Sequence, residues 1–271
     1  MRSILLHVHD DTGLESRLQA ALDLARGFDG HVTLLQSISY AMPMPGDFYG
    51  GIGVEFTPII QEQATALRKQ LETRLAGEDA RWSWIDEGGW AESRMLEHAA
   101  LSDVLVVSAA DPDGPKRGPS RLAGEVAINA RTPVLVVPGS ARGFDVGGAA
   151  IVGWDGSPEA SRALRSALPL LAKASSVTLA TVSGKGAADG YDLPPTSGAE
   201  YLSRHGVRCD MVELPRDGKH PSEVLAAAAQ SGGSGLMVMG AYGQARLIES
   251  MLGGVTHRML ANPPVPLLMA H

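Results

Sequence analysis

Met239-Gly240-Ala241-Tyr242-Gly243 closes a short apolar run, Leu236 to Met239, and Gly253-Gly254-Val255-Thr256 follows Gly243 after a spacer of nine residues. The apolar run has the length of a buried strand. Beyond the glycines, Leu247, Met251, Val255 and Leu260 recur at helical spacing. A strand that breaks into glycines and then enters a helix is the way α/β proteins hold phosphate. Glycine lets the backbone approach the oxyanion, and the free N–H groups of the helix start point at its charge. Two glycines alone would be a weak signal. The third at fixed distance, with Gly-Val-Thr behind it, strengthens the reading against one in which these glycines only permit tight turns and close helix packing.

Outward from this stretch, the chain repeats itself. Ser16-Arg17 precedes Val32-Thr33-Leu34 as Ser161-Arg162 precedes Val177-Thr178-Leu179, each serine lying 16 residues before its valine. Ile4 to Val8 and Ala150 to Trp154 are the apolar strands upstream. Val104 to Val107 parallels Leu236 to Met239, and each half closes on a proline and a strand, Pro133 to Val137 and Pro264 to Met269. Duplication explains the shared order. The polar, glycine-containing stretch from Pro138 to Gly148 places a boundary near residue 143, giving domains 1–142 and 143–271. Within residues 143–271 the patterns predict strands at 149–154, 176–182, 207–213, 235–239 and 265–269. Helices are expected at 158–173, over part of 196–205, at 221–231 and at 247–261. Strands separated by helices give an α/β class: two repeats of a five-stranded, mainly parallel, doubly wound, Rossmann-like sheet. Ligands bind such sheets beyond the carboxyl ends of the strands, where Asp155 and Gly240 fall.

Bulk properties narrow the function. A length of 271 residues suits two domains. The formal charge of −7 argues against a general nucleic-acid or anionic-membrane surface, while permitting a small basic pocket for a phosphate. One cysteine, Cys209, excludes an intrachain disulfide framework and fits a reducing compartment. No apolar run reaches a membrane span's length, and the start reads as a strand rather than a signal peptide, so the cytoplasm is the expected compartment.

With these residues assembled, the chain resembles the universal stress protein family in its tandem form. Ile151-Val152-Gly153-Trp154-Asp155-Gly156-Ser157 is similar to the family's first strand and its Asp-Gly-Ser turn. Gly240-x2-Gly243-x9-Gly253 is similar to its ATP motif. The resemblance implies an ATP or related adenine nucleotide site, with magnesium as a possible companion. Asp155 would accept from the adenine amino group, and the chain around Gly153, Trp154 and Val182 would line the base. Met239, Gly240 and Gly243 would lie near ribose and phosphates, and Gly253, Gly254, Val255 and Thr256 along the phosphate chain. Gly254 departs from the family pattern, which places serine or threonine there. One missing hydrogen bond would cost about 0.5–3 kcal/mol, and Thr256 or Arg246 are the candidates to compensate.

Residues 1–142 depart further. His9 stands where Asp155 stands, and Ser108 to Pro115 replaces the glycine motif with Asp111 and Asp113 at the position phosphate would take. That half is expected to bind no nucleotide and to act as a built-in partner. Val134–Val137 and Val265–Met269 would meet in a pseudo-dimer, with further homodimerisation left open. His7 and His9 share one strand face without a third ligand at usable spacing, so ordinary histidines are favoured over a metal site. Ser157 reads as the N-cap of a helix starting at Pro158. The segment from Ala41 to Pro58 reads as a loop, a lid or a partner contact. Three functions stay open: a nucleotide-binding regulatory module of the stress response, a protein-interaction module with an unknown partner and no nucleotide, and a slow ATPase. No catalytic residue is assigned.

Overall fold

A computed structural model describes residues 1–39, 51–111, 118–183, 193–243 and 254–271, with the backbone alone over 51–57. Among the described residues the strands are β1 (Ser3–Val8), β2 (His31–Ile38), β3 (Arg81–Gly88), β4 (Val104–Ser108), β5 (Val134–Val137), β6 (Ala150–Gly153), β7 (Val177–Val182), β8 (Asp210–Leu214), β9 (Leu236–Gly240) and β10 (Leu267–Ala270). The helices are α1 (Leu14–Phe28), α2 (Gly51–Leu75), α3 (Ala91–Ala99), α4 (Arg121–Asn129), α5 (Pro158–Leu171), α6 (Pro195–Arg204), α7 (Pro221–Ser231) and α8 (Val255–Ala261).

All the strands form one sheet in the order β3-β2-β1-β4-β5-β10-β9-β6-β7-β8. Every neighbouring pair is parallel except β5 with β10, which run antiparallel with Leu267 opposite Val136 and Met269 opposite Val134. Each flank therefore has the same strand order counted inward from its edge. Leu5 lies opposite Thr33 as Ile151 lies opposite Thr178. That register makes His9 the positional equivalent of Asp155.

The alternation along each strand feeds two cores. Ile4, Leu6, Val8, Val152 and Trp154 pack on one face with α1, α2, α5 and α6. Leu5, Ile151, Met237 and Met239 pack on the other with α3, α4, α7 and α8. Burial on both faces is why these strands read as nearly continuous apolar runs.

Ser157 caps α5: its Oγ accepts from Ala160 N at 3.1 Å, and Pro158 sits in the first turn, where no N–H is needed. The expected loop at Ala41–Pro58 requires correction, because α2 already runs from Gly51. Glycine and proline read as loop formers in isolation. The helix is held further along, where Leu67, Leu71 and Leu75 at four-residue spacing are buried. Residues 40–50 lie outside the described residues, as do Arg246, Leu247, Met251 and Gly253.

Candidate functional site

The carboxyl ends of β6 and β9 bring Gly153, Met239 and Gly240 side by side; a Cβ built on Gly153 would lie 3.7 Å from Met239 Cβ. Gly240 sits against the first turn of α5. A Cβ there would meet Ala160 N and Glu159 C at 2.7 Å and Glu159 Cβ at 2.8 Å. This glycine is therefore required by helix packing, whatever else it does. Gly243 is different: its nearest neighbour would be Glu159 Oε2, at an ordinary 3.6 Å.

Tyr242, between the two, holds φ at +48°. A tyrosine in the left-handed region is strained and persists only when its surroundings fix it. Its N–H donates to Thr256 Oγ1 at 3.2 Å, which ties the glycine turn to the start of α8. Thr256 accepts there, so its own hydroxyl proton is available to donate. Its hydroxyl reaches into the turn that carries Gly240 and Gly243. Gly254 is the N-cap of α8 and supplies no side-chain capping bond.

On the β6 side, Asp155 is exposed. Its Oδ1 accepts from Ser157 N at 3.1 Å and Ser157 Oγ at 2.6 Å. Oδ2 makes no hydrogen bond among the described residues, so one carboxylate oxygen is held in place and the other can accept. Trp154 is 4% exposed and packs in the core; its Nε1 donates to Leu193 O at 3.2 Å. Only its backbone can line the crevice. Val182 ends β7, two residues past the Ala180 that faces Gly153 across the sheet.

Sequence reasoning missed Glu159. Its side chain is buried on the first turn of α5, and Oε2 has no hydrogen-bond partner among the described residues. Asp155-Gly156-Ser157-Pro158-Glu159 reads as a helix start, where glutamate serves the helix dipole. The proximity of this carboxylate to Gly243 comes only from the packing of α5 on β9.

The matching crevice on the other flank is filled by side chains. Arg17 is fully buried, donating from Nε to His7 O at 2.8 Å and from Nη2 to His9 O at 2.7 Å. Its Nη1 reaches Asp11 Oδ1 and Ser108 Oγ, both at 2.7 Å. One guanidinium thus ties the end of β1 to the end of β4. Asp111 occupies the start of α4: its carboxylate accepts from Ser120 Oγ and from Arg121 N, the latter at 2.5 Å. Ser120 Oγ in turn accepts from Ala123 N at 3.0 Å. Asp113 lies outside the described residues. Burial, with the Arg17 charge second, pushes the His7 imidazole down to about 3. Its Nε2 has no hydrogen-bond partner among the described residues. The His7 and His9 rings lie 6.2 Å apart, and among the described residues no group of three His, Cys, Asp or Glu side chains could hold a metal ion. Nor is any helix of the described residues long and apolar enough to cross a membrane.

Comparison with known proteins places this architecture. The universal stress protein family model matches residues 149–271. A universal stress protein from Archaeoglobus fulgidus superposes with a TM-score of 0.71 at 13% identity, over 98% of this chain and 97% of that one. A Pseudomonas aeruginosa protein assigned to the same family gives 0.62 at 16% identity, over 100% and 93%. No curated protein matches the sequence. At these identities the likeness to the solved structures is one of fold, and the family match comes from the sequence of the second half. The chain therefore carries a universal stress protein family domain at residues 149–271, within a fold that solved universal stress proteins share along its length.

Proposed function

We propose that this chain is a cytoplasmic, tandem regulatory module of the stress response that binds one adenine nucleotide, ATP or a close relative, within residues 143–271. Residues 1–142 bind none and serve as a built-in partner in a pseudo-dimer joined through β5 and β10. The observation that carries the reading is the contrast between the two crevices. One is filled by Arg17 and closed at the helix start by Asp111. The other offers an open acceptor at Asp155 Oδ2, a glycine without steric obstruction at Gly243, and a hydroxyl proton at Thr256.

The residues present fit a nucleotide with a divalent ion. Asp155 would accept from the adenine amino group, held for that role by Ser157. Thr256 and the backbone of Gly254 and Val255 would donate to phosphate oxygens. Glu159, whose buried Oε2 lacks a partner, is the carboxylate positioned to help hold magnesium, which would neutralise phosphate charge there. The same orphan carboxylate favours slow hydrolysis as a second reading, because an unpartnered carboxylate beside a phosphate can accept a proton from water. Single-turnover hydrolysis lost in Glu159→Gln would support it.

Thermal unfolding with and without magnesium and ATP tests the proposal. A ligand at a hundred times its dissociation constant adds about 2.7 kcal/mol, which raises the midpoint by several degrees in a chain of this size. Gly243→Asp, which sets a second negative charge beside Glu159 and the phosphates, is expected to abolish the rise. An equal rise in wild type and variant would refute the assignment.

A further inference from the structure

A second feature at the same sheet edge lies outside the residues assigned to the nucleotide. A cavity of about 320 Å³ is lined by Arg131, Arg162, Arg165, Ser166, Ala270 and His271. Three arginines line it in a chain whose formal charge is −7, and no aspartate or glutamate is among its lining residues. None of the three arginines makes an ion pair or hydrogen bond among the described residues. Most of the other described arginines are tied to a carboxylate, as Arg26, Arg68, Arg74 and Arg94 are.

The position of the cavity follows from the topology. Arg131 lies just before β5, and His271 just after β10, the two strands that pair antiparallel at the seam. Arg162, Arg165 and Ser166 come from the flank of α5 that faces β10. His271 Nδ1 donates to Ala241 O at 2.8 Å, which anchors this wall to the root of the glycine turn.

The pseudo-equivalent flank of α1 is built differently. The burial patterns of the two helices align Leu18 with Leu164, Ala21 with Ala167 and Leu24 with Leu170. By that alignment Arg162, Arg165 and Ser166 take the places of Ser16, Gln19 and Ala20, of which Ser16 and Ala20 are buried. The connection after β5 runs along α1: Ser16 Oγ donates to Gly139 O at 2.9 Å, and Phe144 N donates to Asp23 Oδ2 at 2.9 Å. A Cβ on Gly27 would press on Val146 at 2.9 Å. The chain covers Ser16 on that flank, whereas Arg162 in the equivalent place lines the basic cavity.

We infer that the seam cavity is an anion site for a phosphate-type ligand, inorganic phosphate, pyrophosphate or a phosphomonoester. Guanidinium groups recognise phosphate through paired, charge-assisted hydrogen bonds, and three around one cavity supply several such donors. Ser166 adds a hydroxyl. The volume sits at the small end of the roughly 300–1,000 Å³ of ligand pockets, which suits a compact anion rather than a whole nucleotide. Its link to Ala241 places it where occupancy can be felt by the glycine turn.

The test is calorimetric titration of the full chain with inorganic pyrophosphate, beside a sodium chloride control of equal ionic strength. Wild type and Gly243→Asp are both expected to bind it saturably. The Arg131→Ser/Arg165→Ala double variant alters exposed side chains, so its urea midpoint should match wild type. Its affinity should fall by about tenfold or more for each arginine lost. Binding equal to wild type in the double variant, or heat reproduced by chloride, would overturn the site. Competition between pyrophosphate and ATP for a single stoichiometric site would overturn its separateness from the nucleotide. Phosphate, ribose 5-phosphate and pyrophosphate compared in the same assay identify the preferred anion.

Discussion

Gly240 and Gly243 belong to one sequence motif, yet the structure gives them different duties, and alanine at each separates the two. At Gly240 the new methyl would sit 2.7 Å from two backbone atoms of α5, whereas ordinary contact begins near 3.4 Å. Either β9 or α5 must retreat by about 0.7 Å, the difference between those two distances. The obstructing atoms are backbone, so no rotamer change relieves the clash. Overpacking of this kind costs about 1–3 kcal/mol. Restriction of the unfolded chain returns no more than about 0.4–1 kcal/mol of that. At Gly243 the methyl would meet only Glu159 Oε2 at 3.6 Å, and no positive φ forbids a side chain. Gly243→Ala is therefore expected to be neutral, or stabilising by up to about 1 kcal/mol. Urea unfolding of both variants by circular dichroism measures this. Gly240→Ala should unfold at clearly lower denaturant, and heat should unfold it several degrees below wild type. Equal midpoints for the two variants, or a Gly240→Ala chain as stable as wild type, would refute the packing argument.

Arg17→Leu removes the guanidinium that joins His7, His9, Asp11 and Ser108, and leaves the nearly buried Asp11 carboxylate without its cation. A loss of about 3–5 kcal/mol is expected in urea unfolding, and a loss below about 1 kcal/mol would contradict the filled-crevice description. His7 titrates near 3 when folded against an ordinary 6.5, so the unfolded chain takes up its proton first as pH falls. The contribution of His7 is complete above about pH 6.5 and declines by about 1.4 kcal/mol per pH unit from there towards pH 3. His7→Leu should remove that slope from the stability profile, and an unchanged slope between pH 6 and 4 (roughly the middle of the window) would show that the imidazole protonates freely in the fold.

The architecture was legible because strands buried on both faces leave unbroken apolar runs, and their carboxyl ends are marked by Asp155-Gly156-Ser157 and by Gly240. The cap on α5 was legible for a local reason: Ser157 and Pro158 act within one helical turn. Contacts made across the sheet were not. Nothing in the sequence near Glu159 announces that α5 rests on Gly240 and turns a carboxylate towards Gly243. Arg17 reads as one member of a repeated Ser-Arg pair, and its burial depends on two carbonyls at the end of β1 and a hydroxyl more than ninety residues away. Trp154 was grouped with the nucleotide residues by its place in the motif. The two-residue period of β6 instead turns its indole to the same face as Val152, into the core. The start of α2 was obscured by Gly51, Gly53 and Pro58, since the leucines that hold that helix come later. Arg131 and Arg165 meet only because β5 pairs with β10.

The central claim is one adenine nucleotide per chain, held by the second half. Calorimetric titration with ATP and magnesium measures it most directly, with wild type beside Asp155→Ala and Gly243→Asp. A stoichiometry of one is expected, with binding weakened in Asp155→Ala and absent in Gly243→Asp. Two sites per chain, or no binding to the wild-type protein, would contradict it.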